Sequence, residues 1–184
     1  KIENSTVGCV SLSDNGMLSV SNGYISGKEI NIKNNGILNL EKVKIKSDIL
    51  NAGDCGTLNL TNNNIELEQG IDITESAKAK IDECIIKSVG TVIKKDGFET
   101  LQCVNSEFNG QTGIVLEEGK NNILGKVKIK SEEYGIFLKE YAECKTDGIE
   151  IFSIDTGIRL KGEKKEKFDS VNIKAKRIID MGFS

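Results

Sequence analysis

The stretch Asn34-Asn35-Gly36-Ile37-Leu38-Asn39-Leu40 returns 20 residues later as Asp54-Cys55-Gly56-Thr57-Leu58-Asn59-Leu60. A related stretch, Asp14-Asn15-Gly16-Met17-Leu18-Ser19-Val20, lies 20 residues earlier. In each copy, two turn-forming residues and a glycine precede a segment in which apolar and polar side chains alternate, as in a β-strand with one buried face. A repeat of this length holds a few short strands but no pair of helices, so it indicates a solenoid of stacked coils.

The apolar part of this pattern continues along the chain at intervals of 20 to 24 residues. Each copy has two inward residues two positions apart and a third five positions later: Leu18/Val20/Ile25, Leu38/Leu40/Ile45, Leu58/Leu60/Ile65, Ala79/Ile81/Ile86, Leu101/Cys103/Phe108, Asn122/Leu124/Ile129, Ala142/Cys144/Ile149 and Glu166/Phe168/Ile173. A second motif is headed by glycine and occurs five times: Gly70-Ile71-Asp72-Ile73, Gly90-Thr91-Val92-Ile93, Gly113-Ile114-Val115-Leu116, Gly135-Ile136-Phe137-Leu138 and Gly157-Ile158-Arg159-Leu160.

These repeats predict an all-β protein, a single-stranded right-handed parallel β-helix of about eight coils with 20–24 residues per coil. Residues 1–184 form a single domain on this interpretation, because the repeats run through the chain and the composition does not change along it. The chain begins at Lys1 without a methionine, so we expect it to be a segment of a longer or processed protein.

The stacked Gly-x-Leu-x-Leu and Thr-Gly-Ile-x-Leu segments resemble the right-handed parallel β-helix superfamily. One branch of that superfamily contains pectate-lyase-like polysaccharide enzymes, and another contains surface shafts of the autotransporter and filamentous-haemagglutinin type. The resemblance covers nearly the whole chain and implies architecture, because a shared fold does not determine function. It favours an extracellular or cell-surface location.

Composition argues against several functional classes. The formal charge is −3, with 25 basic and 28 acidic residues interspersed, so nucleic acid is not an expected partner. No apolar run approaches the roughly 20 residues that span a bilayer, so membrane insertion is not expected. The chain has no histidine and its five cysteines show no C-x-x-C spacing, so we expect neither a metal site nor another cofactor.

One predicted outward row carries charges of both signs. It reads Ser26, Lys46, Glu66, Lys87, Asn109, Lys130, Glu150 and Lys174. Opposite charges on neighbouring coils stabilise the register weakly, and this is the favoured interpretation. The alternative is a ligand site at two Lys-x-Lys segments four coils apart, formed by Lys44 with Lys46 and by Lys128 with Lys130.

The glycine-headed motifs predict a second outward row, of Asp72, Val92, Val115, Phe137 and Arg159. Three consecutive apolar residues on an exposed row indicate a surface that is covered by a loop or offered to a partner. Arg159 is expected one coil beyond Phe137, where its guanidinium is able to stack on the ring. Val92, Val115, Phe137 and Arg159 are therefore the candidate partner-binding residues.

No catalytic set emerges from the sequence, because no row places two acidic residues on neighbouring outward positions. We therefore expect a noncatalytic structural or adhesive surface module. It would bind a second copy, forming an oligomer or filament, or a glycan or protein on a cell surface. The alternatives are a polysaccharide lyase with Arg159 or a stacked lysine as base, a carbohydrate-binding module, or a shaft segment of a phage or toxin.

Overall fold

A computed structural model describes residues 2–162, 166 and 168–182 of the chain, and these residues form strands, turns and bends without a helix. The strands are β1 (Ile2–Glu3), β2 (Thr6–Val7), β3 (Val10–Leu12), β4 (Met17–Ser21), β5 (Tyr24–Ile32), β6 (Ile37–Glu41), β7 (Lys44–Ala52), β8 (Thr57–Thr61), β9 (Asn64–Thr74), β10 (Lys78–Asp82), β11 (Ile85–Ser88), β12 (Thr91–Asp96), β13 (Leu101–Val104), β14 (Glu107–Gly110), β15 (Thr112–Ser131), β16 (Tyr134–Ser153), β17 (Thr156–Lys161), β18 (Val171–Lys174) and β19 (Arg177–Gly182).

Every pairing between these strands is parallel and joins one coil to the next. Leu38 of β6, for example, lies between Leu18 of β4 and Leu58 of β8. The result is a β-solenoid of about eight turns with about 21 residues per turn. This confirms the all-β parallel solenoid and the coil number predicted from the repeats.

The core fills the inside of the coils as vertical columns, each made of the side chains at the same place in successive coils. One column is entirely aliphatic: Val10, Ile30, Leu50, Ile71, Ile93, Ile114, Ile136 and Ile158, all buried. A parallel column contains Ile25, Ile45, Ile65, Ile86, Phe108, Ile129 and Ile151, also buried. Cys84, Cys103 and Cys144 are buried as well, and the repeat pattern gives Cys103 and Cys144 inward positions.

The first corners are tight turns built from two residues in the left-handed region. The φ angles are 52° and 68° at Asp14 and Asn15, and 48° and 63° at Asn34 and Asn35. Asn and Asp tolerate this conformation, which two-residue turns of this hand require. The N–H of Gly36 closes its turn on the carbonyl of Lys33 at 2.8 Å, and a Cβ on Gly36 would lie 3.0 Å from that oxygen. The same Cβ would lie 3.0 Å from the carbonyl oxygen of Leu12 in the preceding coil, so glycine fits this corner best.

In the later coils the structure differs from the sequence alignment by one or two residues. Asn121 and Ile123 point inward, although the repeat pattern had placed Asn122 and Leu124 there. Cys144 continues the column of Asn121, where the pattern had placed Ala142. The reason is that the corners of these coils vary in length, and strand pairing absorbs the extra residues as irregularities between Leu116 and Glu118 and between Leu124 and Val127.

Candidate functional site

The outward row predicted to bind a partner is only partly correct. Its members in the structure are Asp72, Lys94, Val115, Phe137, Arg159 and Asp180. Val92 is fully buried, so its assignment as an outward binding residue is wrong. The strand register pairs Thr91 with Thr112 and Ile93 with Ile114, so Lys94 stands above Val115. The apolar residues of the row are therefore two and not three, Val115 and Phe137, and both are half-buried.

Arg159 stacks on two aromatic rings, as predicted for Phe137. Its Cζ atom lies 5.3 Å from the centroid of the Phe137 ring and 5.1 Å from that of Tyr134. The two rings are tilted against each other with centroids 5.6 Å apart. The guanidinium also donates a hydrogen bond to the Tyr134 hydroxyl and lies 3.8 Å from a carboxylate oxygen of Asp180. The Arg159 guanidinium therefore has an aromatic, a hydrogen-bonding and an ionic partner within the chain.

Arg177 belongs to the same cluster, although the search along single rows assigns it no role. Its Nη2 donates to Asp155 Oδ2, and its Nη1 lies 3.9 Å from Asp180 Oδ2. The hydrogen bond with Asp155 raises the pKa of the Arg177 guanidinium above its usual range. Asp155 and Thr156 precede Gly157 at one corner, and Arg177 is paired with Thr156 one coil later. This neighbouring row is the signal that could have placed Arg177 beside Asp155. Two arginines and two aspartates thus neutralise each other at the end of this row.

The four candidate lysines form two separate pairs that the structure does not bring together. Lys128 lies 3.6 Å from Glu150, and Lys130 lies 2.7 Å from Glu107. Strand pairing places Glu150 next to Lys128, so the prediction that Glu150 follows Lys130 in the outward row is wrong. Phe152 is the residue paired with Lys130. These ion pairs favour the register interpretation for the second Lys-x-Lys segment.

Lys46 lines a groove of about 630 Å³ that crosses four coils. Its charged residues are Lys28, Lys46, Asp48, Glu66, Glu68 and Lys87. Among the described residues, none of these six side chains takes part in an ion pair, and the same holds for Lys44. Three positive and three negative charges give the groove no net sign, so it has no preference for an acidic polymer.

A buried lysine, Lys95, lies in the coil where the two-residue corners of the first coils give way to longer corners. Lys95 is 1 % exposed and takes the place that Ile73 and Leu116 occupy in the neighbouring coils. Its ammonium donates to the carbonyl of Gly97 and, at 3.1 Å, to that of Glu118. The same Glu118 carbonyl accepts a hydrogen bond from the Asn121 side chain at 3.3 Å. Lys95 and Asn121 therefore both donate to backbone carbonyls of this corner, and Lys95 joins the corners of two successive coils.

Burial lowers the pKa of Lys95 below the usual lysine value, against the opposing effect of nearby carboxylates, chiefly Glu118. Because the unfolded chain then binds more protons than the native one at pH values between the two pKa values, the stability contribution of Lys95 increases with pH in that range. Lys95→Met removes this pH-dependent contribution to the stability. We expect the unfolding free energy of the wild type minus that of Lys95→Met to increase as the pH rises towards about 10.5 and then to level off.

Urea unfolding of both proteins over this pH range measures the difference. Parallel pH profiles for the two proteins would show that Lys95 titrates normally in the native state.

Two further findings concern sites of other kinds. Within the described residues, no three His, Cys, Asp or Glu side chains group closely enough to hold a metal ion. No helix in the described part of the chain has the length and apolar character needed to cross a membrane.

The chain matches no protein-family model, no curated protein and no solved structure.

Proposed function

We propose that the chain is a noncatalytic structural module of the right-handed parallel β-helix superfamily, and that it works as a stiff rod on a cell surface or outside the cell. The continuous parallel ladders from β1 to β19 support this proposal, because they join every coil to its neighbours by backbone hydrogen bonds. Paired charges along the sides, such as Lys94 and Lys139 with Glu117, fix the register of the coils.

The observation that carries the proposal is the surface of β19, the last strand that the structure describes. Ile179 continues the aliphatic column whose members are buried in every earlier coil, yet it is 50 % exposed. Met181 continues the column of Leu138 and Leu160 and is 47 % exposed. A further coil would bury both side chains and pair with the open edge of β19. Because both are already about half buried, each would stabilise stacking by about half of the roughly 1.5–3 kcal/mol that burial of a fully exposed side chain gives.

For residues 1–184 taken alone, the proposed mechanism is that the coil stacking on β19 belongs to a second copy of the chain. The first described coil offers a matching surface, since Ile2, Val7 and Leu12 are only partly buried against the core. Stacking these two ends would extend the inward columns from one copy into the next. The rod would then grow along its own axis, leaving its sides free for a glycan or protein partner.

Ile179→Lys is expected to abolish this association, because a lysine at the end of the aliphatic column would have to be buried without a partner. Sedimentation velocity over a concentration series measures the result. We expect the wild type to form larger species as its concentration increases, and Ile179→Lys to stay monomeric.

Ile154→Lys is the matched control, because Ile154 is 73 % exposed at a corner on the side of the rod. It should associate like the wild type. A wild type that remains monomeric at every concentration, or equal loss of association in both variants, would contradict end-to-end stacking.

A further inference from the structure

Two aromatic side chains project from the same corner of the solenoid and are largely exposed. Phe98 is 77 % exposed and Tyr141 is 71 % exposed, whereas the next most exposed ring among the described residues, that of Phe152, is 40 % exposed. Phe98 follows the end of β12, and Tyr141 lies in the part of β16 that turns this corner. This corner is therefore the part of the described surface where aromatic rings are most available to a ligand.

The two rings lie one coil above and one coil below the same short segment. The Phe98 carbonyl is 2.6 Å from the position that a Cβ on Gly119 would take, so Phe98 stacks directly on Gly119. Tyr141 pairs with Glu118 on the other side. Since successive coils are about 4.8 Å apart, the backbones of Phe98 and Tyr141 are separated by about 9.6 Å along the rod axis.

The surroundings of the rings do not suit a protein partner. Lys120 and Glu140 are exposed and Glu118 is half-buried, so the apolar surface is interrupted by charge between and beside the rings. A protein interface needs a contiguous, desolvated apolar centre. A pyranose ring presents an apolar C–H face with hydroxyl groups around its edge, which matches an aromatic ring bordered by carboxylates and an ammonium.

The charges also select among sugars. Glu118 and Glu140 outnumber Lys120 at this corner, so a polymer of uronic acids would be repelled. An uncharged sugar has no such penalty, and its hydroxyls are able to donate to the two carboxylates and accept from the ammonium. The arrangement of the rings along the rod axis suits a straight chain of sugars.

We propose that Phe98 and Tyr141 bind a linear, uncharged polysaccharide that runs along the rod axis, with one sugar stacked on each ring. Glu118, Lys120 and Glu140 hydrogen-bond its hydroxyl groups. This is a binding site without a chemical step. It is separate from the proposed end-to-end stacking, which uses β19, so either proposal can fail without the other.

Affinity electrophoresis tests the site with three soluble polymers: hydroxyethyl cellulose, glucomannan and polygalacturonate. We expect at least one of the two uncharged polymers to retard the wild type, and polygalacturonate to have no effect. Phe98→Ala and Tyr141→Ala should each weaken binding by about tenfold or more, since each removes one stacking surface. Phe152→Ala removes an exposed ring on another part of the coil and should bind like the wild type.

Three results would overturn the proposal: no retardation by either uncharged polymer, stronger retardation by polygalacturonate, or an equal loss of binding in Phe152→Ala. Thermal unfolding of Phe98→Ala and Tyr141→Ala serves as a check, because the removal of a largely exposed ring should leave the melting temperature unchanged. Sedimentation of the same variants reports stacking through β19 separately.

Discussion

Gly135→Ala is expected to destabilise the solenoid by about 3 kcal/mol or more, because the interior at this level has no room for a methyl group. A Cβ on Gly135 would lie 2.3 Å from the Cγ2 atom of Ile151 and 2.6 Å from the carbonyl oxygen of Gly157. The first contact lies within the same coil and the second is with the backbone of the next coil. Relief of both contacts requires the stacked strands to move apart.

Gly8→Ala is the matched control for this substitution. No atom lies within 4 Å of the position that a Cβ on Gly8 would take. Its effect should stay within about 0.5 kcal/mol, as for most surface substitutions. Urea unfolding of the two variants and the wild type measures both effects, and equal midpoints for Gly135→Ala and Gly8→Ala would show that the coils are not packed as described.

Phe108→Ala is expected to cost about 3–5 kcal/mol, because it leaves a cavity in the middle of a packed column. Phe108 is completely buried between Ile86 and Ile129. The parallel strands above and below hold these neighbours in place through their ladders, so the cavity cannot close easily. Phe98→Ala makes the same chemical change at a site that is 77 % exposed, and its effect should stay within about 0.5 kcal/mol.

Guanidinium unfolding of the two phenylalanine variants measures this difference. A similar loss of stability in both would mean that the Phe98 ring contacts the protein, which would also weaken the proposed polysaccharide site. A small loss in Phe108→Ala would mean that the column relaxes around the missing ring.

The fold was predictable because the first coils nearly repeat one another. Asn34, Asn35 and Gly36 mark a corner whose backbone conformation only a few residue types adopt readily. The alternating apolar residues that follow then fix which side chains point inward. Equal spacing of these two signals was sufficient to predict parallel stacking without any relative of known structure.

The register of the later coils was not predictable from the same signals. Gly90 was aligned with Gly113 because both head an apolar segment, but strand pairing places Thr91 opposite Thr112. Val92 is consequently buried, and Lys94 takes the outward place. The sequence also gives no sign that Lys95 is inside, because a lysine in a strand usually faces water and its partners are backbone carbonyls of two corners.

In the candidate surfaces too, some contacts were predictable from the sequence and others were not. The stacking of Arg159 on Phe137 follows from their places in one row, and it is confirmed. Tyr134 and Arg177 join that cluster from a neighbouring row, which a search along single rows does not reveal. Phe98 and Tyr141 lie at the same corner of the solenoid but in different coils, where that corner differs in length. No fixed spacing therefore relates them in the sequence.

Electron cryo-microscopy of the concentrated protein tests the central claim, that the chain is a structural rod that stacks end to end. The account predicts filaments whose averaged images show a repeat of about 4.8 Å along the filament axis, since the strands of every coil lie across that axis. Single particles of one chain at all concentrations would contradict it. So would filaments in which the 4.8 Å repeat runs across the axis, because the copies would then associate through their sides.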